Sequence, residues 1–360
     1  MYYRMSQKYY SSKRLRKKKC DFYIIIGQKS NGKSFDIKSL LLDEALHKGR
    51  RFAYMRRWDY ERTTKKVEQY FKDEALFTVN NLSPYTEVQS YAGEIFLGNR
   101  NEKGKATRDL QVGYSVALSA ETHYSSLAFP DVYNILFEEF ITDSGYLGNN
   151  EVTLFNKLVS TILRQREDTC VYMIGNTINR FCPYFSEFNI NINTIKKGEI
   201  VYYNYKDSET DRTITIGIEY CEDIFENKKV FGKSAKMING GEWLTTSVPL
   251  AKDIDIDTCR EHFRFFVEKE HSKFCCKIMS TGNIYFLYVY PYTRQEYPKN
   301  SRIITDKVNF TTNPLITKEL TNNLVCDRVI SEVMLSNRLA YSDSLTGTEF
   351  EVIRNERRWK

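Results

Sequence analysis

The chain of 360 residues is 41% hydrophobic and 28% charged, which gives room for one large domain or two ordinary ones and excludes a chain that is disordered throughout. Its net charge of +7 is unevenly placed, because residues 1–20 contain eight basic residues and no acidic one. The rest of the chain is therefore close to neutral.

The sequence disfavours a membrane-spanning protein and a zinc-binding protein. No apolar run approaches the roughly 18 residues of a membrane-spanning helix, and the run 22–26 is too short for a signal peptide. A soluble, intracellular protein is expected. The eight cysteines form no Cys-x-x-Cys pair and no cluster with the four histidines, which argues against a zinc site and favours reduced, buried thiols.

Residues 1–20 are predicted to form a basic N-terminal arm. Four tyrosines lie between its basic residues, namely Tyr2, Tyr3, Tyr9 and Tyr10. Basic side chains interspersed with tyrosines are typical of segments that bind a polyanion such as nucleic acid. A solvated tail is the alternative.

The next part of the chain alternates strand and helix signals. Residues 21–26 form a short apolar run, and a helical pattern from Lys33 to Lys48 ends at Gly49. Helices are also predicted at 60–76 and 151–166, and strands at 51–57, 94–97, 110–118, 132–137 and 170–174. This order predicts an α/β domain over residues 21–197, with a mainly parallel sheet covered by helices.

The pattern changes after residue 197. Alternating apolar and polar residues predict half-exposed antiparallel strands at 202–205 and 212–220. Residues 198–255 are interpreted as a connecting region and residues 256–360 as a smaller α+β domain. In that domain a helix is predicted at 318–338 and strands at 262–267, 274–279 and 283–292.

The strongest motif is Gly-x-x-x-x-Gly-Lys-Ser between the first strand and the first helix, the context that a phosphate-binding loop (P-loop) requires. Backbone N–H groups of the loop would surround the phosphates, Lys33 would bridge the β- and γ-phosphates, and Ser34 would hold Mg²⁺. ATP and Mg²⁺ are the predicted cofactors. The predicted nucleotide-binding residues are Gly27, Gln28, Lys29, Ser30, Asn31, Gly32, Lys33, Ser34 and Phe35.

A pair of acids follows the apolar strand 132–137. An acid at the end of a core strand can bind the Mg²⁺ shell, and the next acid can deprotonate the attacking water. We therefore predict Glu138 as a metal residue together with Ser34, and Glu139 as the catalytic base. Two solvated glutamates at a strand end are the alternative.

Polar and basic residues near the ends of other strands are further candidates. Asn176 follows the strand 170–174 and could sense the γ-phosphate, although Asn is also common in turns. Arg56 and Arg57 end the second strand, and Arg164 and Arg166 end the helix 151–166. A cation can stabilise the transferring phosphoryl group, but basic residues also favour helix C-termini, so position alone does not decide between these roles.

The chain resembles the DNA encapsidation ATPases of small short-tailed phages, which are relatives of the large terminases. The resemblance lies in the P-loop and in residues 54–57, 113–119, 130–141 and 175–185. It implies a homo-oligomeric ring, commonly a pentamer, that assembles on the portal vertex of a procapsid in the host cytoplasm. Such a ring translocates double-stranded DNA with ATP, and a packaging RNA is a further possible partner.

The resemblance also implies residue roles. It points to Arg164 as a catalytic arginine acting on the neighbouring subunit, with Arg166 as the alternative, and to Arg56 or Arg57 as phosphate contacts. The family usually has Asp-Glu where this chain has Glu138-Glu139.

In relatives the C-terminal domain is an RNase H-like fold. True terminases use an acidic cluster there to bind two metals and cut DNA, whereas the candidate strand here offers only Glu268 and Glu270. The domain is interpreted as a vestigial nuclease. Alternatives are a full terminase with an active nuclease, another P-loop DNA translocase, and a DNA-binding assembly protein in which nucleotide is only a structural switch.

Overall fold

The chain divides into two compact units, Met1–Trp243 and Leu244–Lys360. The computed structural model describes residues 9–79, 82, 84–142, 145–164, 166–206, 212–223, 237–238, 240–245, 248–251, 254–307, 313–318, 320, 324–336 and 338–356. Among these residues, no helix is long and apolar enough to cross a bilayer.

The first unit is built on a nine-stranded sheet in the order β3-β4-β5-β2-β6-β7-β1-β9-β8. The strands are β1 (Phe22–Gly27), β2 (Arg51–Arg56), β3 (Glu87–Tyr91), β4 (Glu94–Gly98), β5 (Leu110–Ala117), β6 (Val132–Glu138), β7 (Cys170–Asn176), β8 (Ile200–Lys206) and β9 (Thr213–Tyr220). Six neighbouring strands of this sheet pair in parallel, in the order β5, β2, β6, β7, β1 and β9. Strands β3, β4 and β8 pair antiparallel at the edges. The predicted α/β class is confirmed.

Helices cover both faces of this sheet. They are α1 (Lys33–Lys48), α2 (Thr64–Phe71), α3 (Glu74–Val79), α4 (Glu151–Leu163) and α5 (Pro183–Glu187). Buried residues of α1 and α2 join one hydrophobic cluster, and those of α4 and α5 join the cluster on the other face. Every residue of β1 is buried, as expected for a central parallel strand with apolar side chains on both faces.

The predicted boundary at residue 197 is wrong. Strand β9 pairs in parallel with β1, and β8 pairs antiparallel with β9 at the sheet edge. The alternating pattern at 202–205 fits the partly exposed edge strand β8, whereas β9 lies inside the sheet between β1 and β8, with its second half buried. Much of the rest of the predicted connecting region, including residues 207–211 and 224–236, lies outside the described residues.

The prediction of a separate basic N-terminal arm also needs correction. Tyr10 is 7% exposed and Leu15 is fully buried. The hydroxyl of Tyr202 donates to the carbonyl of Leu15 over 2.9 Å. Residues 9–20 are thus part of the first unit, anchored by apolar side chains that lie among the basic ones. Residues 1–8 lie outside the described residues.

The second unit has a six-stranded sheet in the order β14-β13-β10-β11-β12-β15. Its strands are β10 (Arg260–Lys269), β11 (Ser272–Thr281), β12 (Ile284–Pro291), β13 (Arg302–Thr305), β14 (Ile316–Thr317) and β15 (Leu339–Tyr341), and its helices are α6 (Val325–Leu335) and α7 (Ser344–Glu356). A buried ion pair of 2.7 Å joins Arg302 of β13 to Asp327 of α6. The α+β prediction holds for this unit, and α6 is shorter than the predicted helix.

Candidate nucleotide site

The predicted P-loop joins the carboxyl end of β1 to the amino end of α1. Gly27 closes β1 beside Asn176 of β7. A Cβ at Gly27 would lie 2.8 Å from the Cβ of Cys221. Gly32 has a φ of 96°, a left-handed conformation that a side chain disfavours. The loop therefore needs both glycines of the motif for its shape.

Lys33 lies inside the loop and is 4% exposed. Its Nζ donates to the carbonyl oxygens of Gly27 (3.3 Å) and Gln28 (2.6 Å), and to the Oδ1 atoms of Asn31 (3.2 Å) and Asn176 (3.4 Å). Burial lowers the pKa of Lys33 to about 8. Lys33 and Asn176 belong to different sequence motifs, and both are predicted to contact the γ-phosphate. The fold thus brings these two side chains together.

Glu138 ends β6 at the same edge of the sheet and is 5% exposed. The hydroxyl of Tyr70 donates a hydrogen bond to Glu138 Oε1 and is also hydrogen-bonded to the side chain of Ser34. Ser34 and Glu138, the two predicted metal residues, are therefore neighbours of one hydroxyl group. Hydroxyl and carboxylate oxygens are the donors that Mg²⁺ takes, so this pair fits the metal that the P-loop implies.

Glu139 leaves the strand with a φ of 56°, and its side chain is 56% exposed. Its carboxylate accepts a hydrogen bond of 2.7 Å from Arg56, which also donates to Glu61 over 3.0 Å. Burial opposes the charge of Arg56, but its Tyr54 neighbour and the carboxylates of Glu139 and Glu61 outweigh burial and raise the pKa of Arg56, so the guanidinium stays charged. Arg56 therefore lies at the predicted catalytic base, within the predicted site.

Arg57 is predicted to contact phosphate, but its guanidinium is buried against other partners. It is 4% exposed, and its Nε lies 3.0 Å from the buried carboxylate of Glu151. Its other nitrogens donate to the carbonyls of Glu139 (3.0 Å) and Phe140 (2.7 Å). These contacts fix the turn after β6, and they occupy the guanidinium that was predicted to contact phosphate.

Arg164 and Arg166 lie at the opposite edge of the sheet. They precede β7, and they line a depression with Asp21 and Thr169, which lie at the amino ends of β1 and β7. The length of β7 separates this edge from Asn176, a distance of roughly 20 Å at about 3.3 Å per residue. Arg164 therefore lies far from the P-loop of its own chain.

A segment that the sequence did not associate with the site contacts the P-loop. The backbone N–H of Tyr10 donates to the carbonyl of Asn31 over 3.0 Å, and its hydroxyl donates to buried Glu219 over 2.9 Å. The N–H of Ser12 donates to Asp36 Oδ2 over 2.9 Å. The basic residues around Tyr10 masked this signal, because they suggested a solvated arm.

Comparison with known proteins supports a single family. The model of the podovirus DNA encapsidation protein (Gp16) matches residues 5–325. A DNA packaging protein of Bacillus phage B103 is 28% identical over 265 residues, which are 72% of this chain and 71% of that protein.

Two solved structures share the fold along almost the whole chain. The bacteriophage Phi-29 viral genome packaging motor assembly has a TM-score of 0.57 and 18% identity, covering 97% of this chain and 99% of that chain. The Phi-28 gp11 DNA packaging motor has a TM-score of 0.52 and 18% identity, covering 98% and 99%. Since the family model spans most of the sequence, this chain belongs to the podovirus DNA encapsidation protein (Gp16) family.

Proposed function

We propose that this protein is the ATP-hydrolysing motor that moves double-stranded viral DNA into a preformed procapsid. The observation that supports this most directly is the meeting of Lys33, Asn176, Glu138 and Glu139 at the carboxyl edge of one parallel sheet. Family membership supplies the DNA substrate and the site of action.

The proposed chemistry divides the work among these residues. Lys33 leaves its loop carbonyls and binds the β- and γ-phosphates, while the loop N–H groups orient them. Ser34 and Glu138 would hold Mg²⁺, which would neutralise charge on the phosphates. Glu139 takes a proton from the attacking water. The Thr177 hydroxyl next to Asn176 is buried and lacks a hydrogen-bond partner among the described residues, so a water or phosphate oxygen could satisfy it.

We further propose that the protein works as a homo-oligomeric ring, with a pentamer as the family's common form, on the portal vertex. Arg164 lies too far from Lys33 of its own chain to touch the same phosphates. If it contributes to hydrolysis, it does so at a neighbouring subunit's site. A packaging RNA is a further candidate partner of the ring.

The second unit is proposed to bind DNA, the portal or a packaging RNA rather than to cut DNA. Glu268 is 8% exposed and is held by Lys307 at 2.6 Å and by the hydroxyl of Tyr297 at 3.0 Å. Among the described residues, no group of three or more His, Cys, Asp or Glu side chains is placed to hold a metal ion. Because the ammonium group of Lys307 already neutralises Glu268, this carboxylate is poorly suited to bind the metal ions of a two-metal nuclease.

Steady-state ATP turnover with and without double-stranded DNA tests the proposed function. We expect hydrolysis that DNA stimulates and that Lys33→Ala abolishes. Near-normal turnover in Lys33→Ala would rule out the P-loop assignment. ATP binding without turnover in the presence of DNA and procapsid would favour the alternative in which nucleotide is a structural switch.

A further inference from the structure

Tyr70 lies at the point where the two proposed metal residues meet. It is in the last turn of α2, and its hydroxyl contacts Glu138 and Ser34. No sequence motif includes Tyr70, and the proposed chemistry gives it no role.

The ring of Tyr70 is held from several sides. It stacks on Tyr54 with centroids 4.6 Å apart and meets the edge of Phe71 at 5.0 Å. The Nζ of Lys38 lies 4.5 Å from the ring centroid and donates to the Tyr70 carbonyl over 2.8 Å. These contacts set the position of the hydroxyl independently of its hydrogen bonds.

The phenol hydroxyl has one proton to donate, and it donates it to Oε1 of Glu138. A protonated phenol donates to a carboxylate, and a hydrogen bond to a charged acceptor is stronger than a neutral one. One oxygen of Glu138 is thereby occupied, which leaves the other free to turn towards the phosphate site.

A glutamate at this position has a particular need for such a contact. Compared with an aspartate, Glu138 has one more methylene and one more rotatable bond. A side chain with more rotamers loses more entropy when it is fixed at a metal. A partner that fixes the rotamer beforehand reduces that loss.

We propose that Tyr70 is a positioning residue for the divalent metal, holding Glu138 and Ser34 so that their free oxygens converge on it. This inference rests on the proposed function, since it concerns the metal that accompanies the nucleotide. It adds a residue from α2, outside the recognised motifs, to the support of the site.

Mn²⁺ binding measured by electron paramagnetic resonance tests the role of Tyr70. The full-length protein is saturated with a non-hydrolysable ATP analogue and titrated with Mn²⁺. We expect Tyr70→Phe to weaken Mn²⁺ binding about tenfold, the usual scale for losing a partner that orients a ligand. The affinity for the analogue in EDTA should stay unchanged, because the phosphate-binding loop is intact.

Two further variants separate positioning from general damage. Tyr54→Phe removes a hydroxyl from the ring stacked on Tyr70 and should bind Mn²⁺ as the wild type does. In a Glu138→Asp background the shorter carboxylate no longer reaches Tyr70, so Tyr70→Phe should cause no additional loss. Equal thermal melting of the variants would exclude misfolding as the cause.

The possible contrary results are distinct. Mn²⁺ binding in Tyr70→Phe that equals the wild type would overturn the inference, and tighter binding would show that the hydroxyl competes with the metal. An equal loss on Tyr70→Phe in the Glu138→Asp background would also overturn it. If the wild type bound neither the analogue nor Mn²⁺, the proposed function itself would fail.

Discussion

The guanidinium of Arg56 lies 2.7 Å from the carboxylate of Glu139, the residue proposed to take a proton from water. The ion pair directs the carboxylate of Glu139 at Arg56 instead of at a water molecule, so it must open before Glu139 can act as a base. The same arginine is anchored by Glu61, on the segment that follows β2. The pair therefore offers a way to hold back hydrolysis until it opens.

Arg56→Ala is expected to raise ATP turnover in the absence of DNA. A partly exposed pair contributes up to about 1 kcal/mol, which corresponds to a rise of up to about fivefold. Stimulation by DNA should fall correspondingly. Turnover with and without DNA gives the ratio, and Arg62→Ala is the control, since Arg62 pairs with Asp59 at 2.7 Å instead. An unchanged ratio in Arg56→Ala would contradict a restraining role.

The N-terminal segment is expected to stabilise the first unit. Leu15→Ala removes a fully buried side chain and should lower the free energy of unfolding by about 2–5 kcal/mol. Urea denaturation measures this, and exposed Lys17→Ala should change it by less than about 0.5 kcal/mol. Deleting residues 1–19 would therefore disturb the fold as well as the charge.

Deletion of residues 1–8 alone is the cleaner test of the basic charge at the N-terminus, because it removes Arg4 and Lys8 before the anchored part of the segment begins.

For the stability prediction, equal unfolding free energies of Leu15→Ala and wild type would show that the N-terminal segment does not support the fold.

Nucleotide binding is expected to depend on pH through Lys33. Its pKa of about 8 reflects burial, and bound phosphates would raise it, so binding takes up a proton when the pH is above about 8. The protonated lysine is the binding form, and affinity should fall about tenfold for each pH unit above that value. Calorimetry in two buffers of different ionisation enthalpy detects the uptake. Lys33→Arg stays charged and should show none, and a wild type without uptake would contradict the burial of a neutralisable lysine.

Arg164 is expected to act only between subunits. Arg164→Ala protein keeps its own Glu139, and Glu139→Gln protein keeps its own Arg164. In mixed rings some interfaces pair an intact Glu139 with an intact Arg164, so ATP turnover should reappear on mixing. Absence of recovery in mixtures shown to co-assemble would remove Arg164 from catalysis and leave Arg166 and Arg56 to be tested in the same way.

The sequence predicts the P-loop and the acid pair because each is a local pattern between a strand and its neighbour. It also predicts the α/β class of the first unit from the order of strands and helices. It does not reveal that Tyr70 meets Glu138, since that contact depends on β2 lying beside β6 and on the course of α2 after it.

The errors have the same origin. Arg57 and Arg56 are adjacent in sequence, yet one faces buried Glu151 and the other the exposed carboxylate of Glu139. Only the packing of α4 against β6 distinguishes them. The sequence does not assign β9 to this sheet, because a parallel partner 194 residues away in the chain, such as Phe22 for Ile216, leaves no local signal.

The central claim is that ATP hydrolysis at this site drives DNA into a procapsid, and DNA packaging in vitro tests it most directly. Purified protein, cognate procapsids, double-stranded DNA and ATP are combined, and the DNA that resists DNase is measured. Wild type should protect DNA in an ATP-dependent manner. Glu139→Gln should bind ATP with wild-type affinity but protect none, because an amide cannot take the proton. Protection by Glu139→Gln at the wild-type level, or protection by wild type without ATP, would contradict the account.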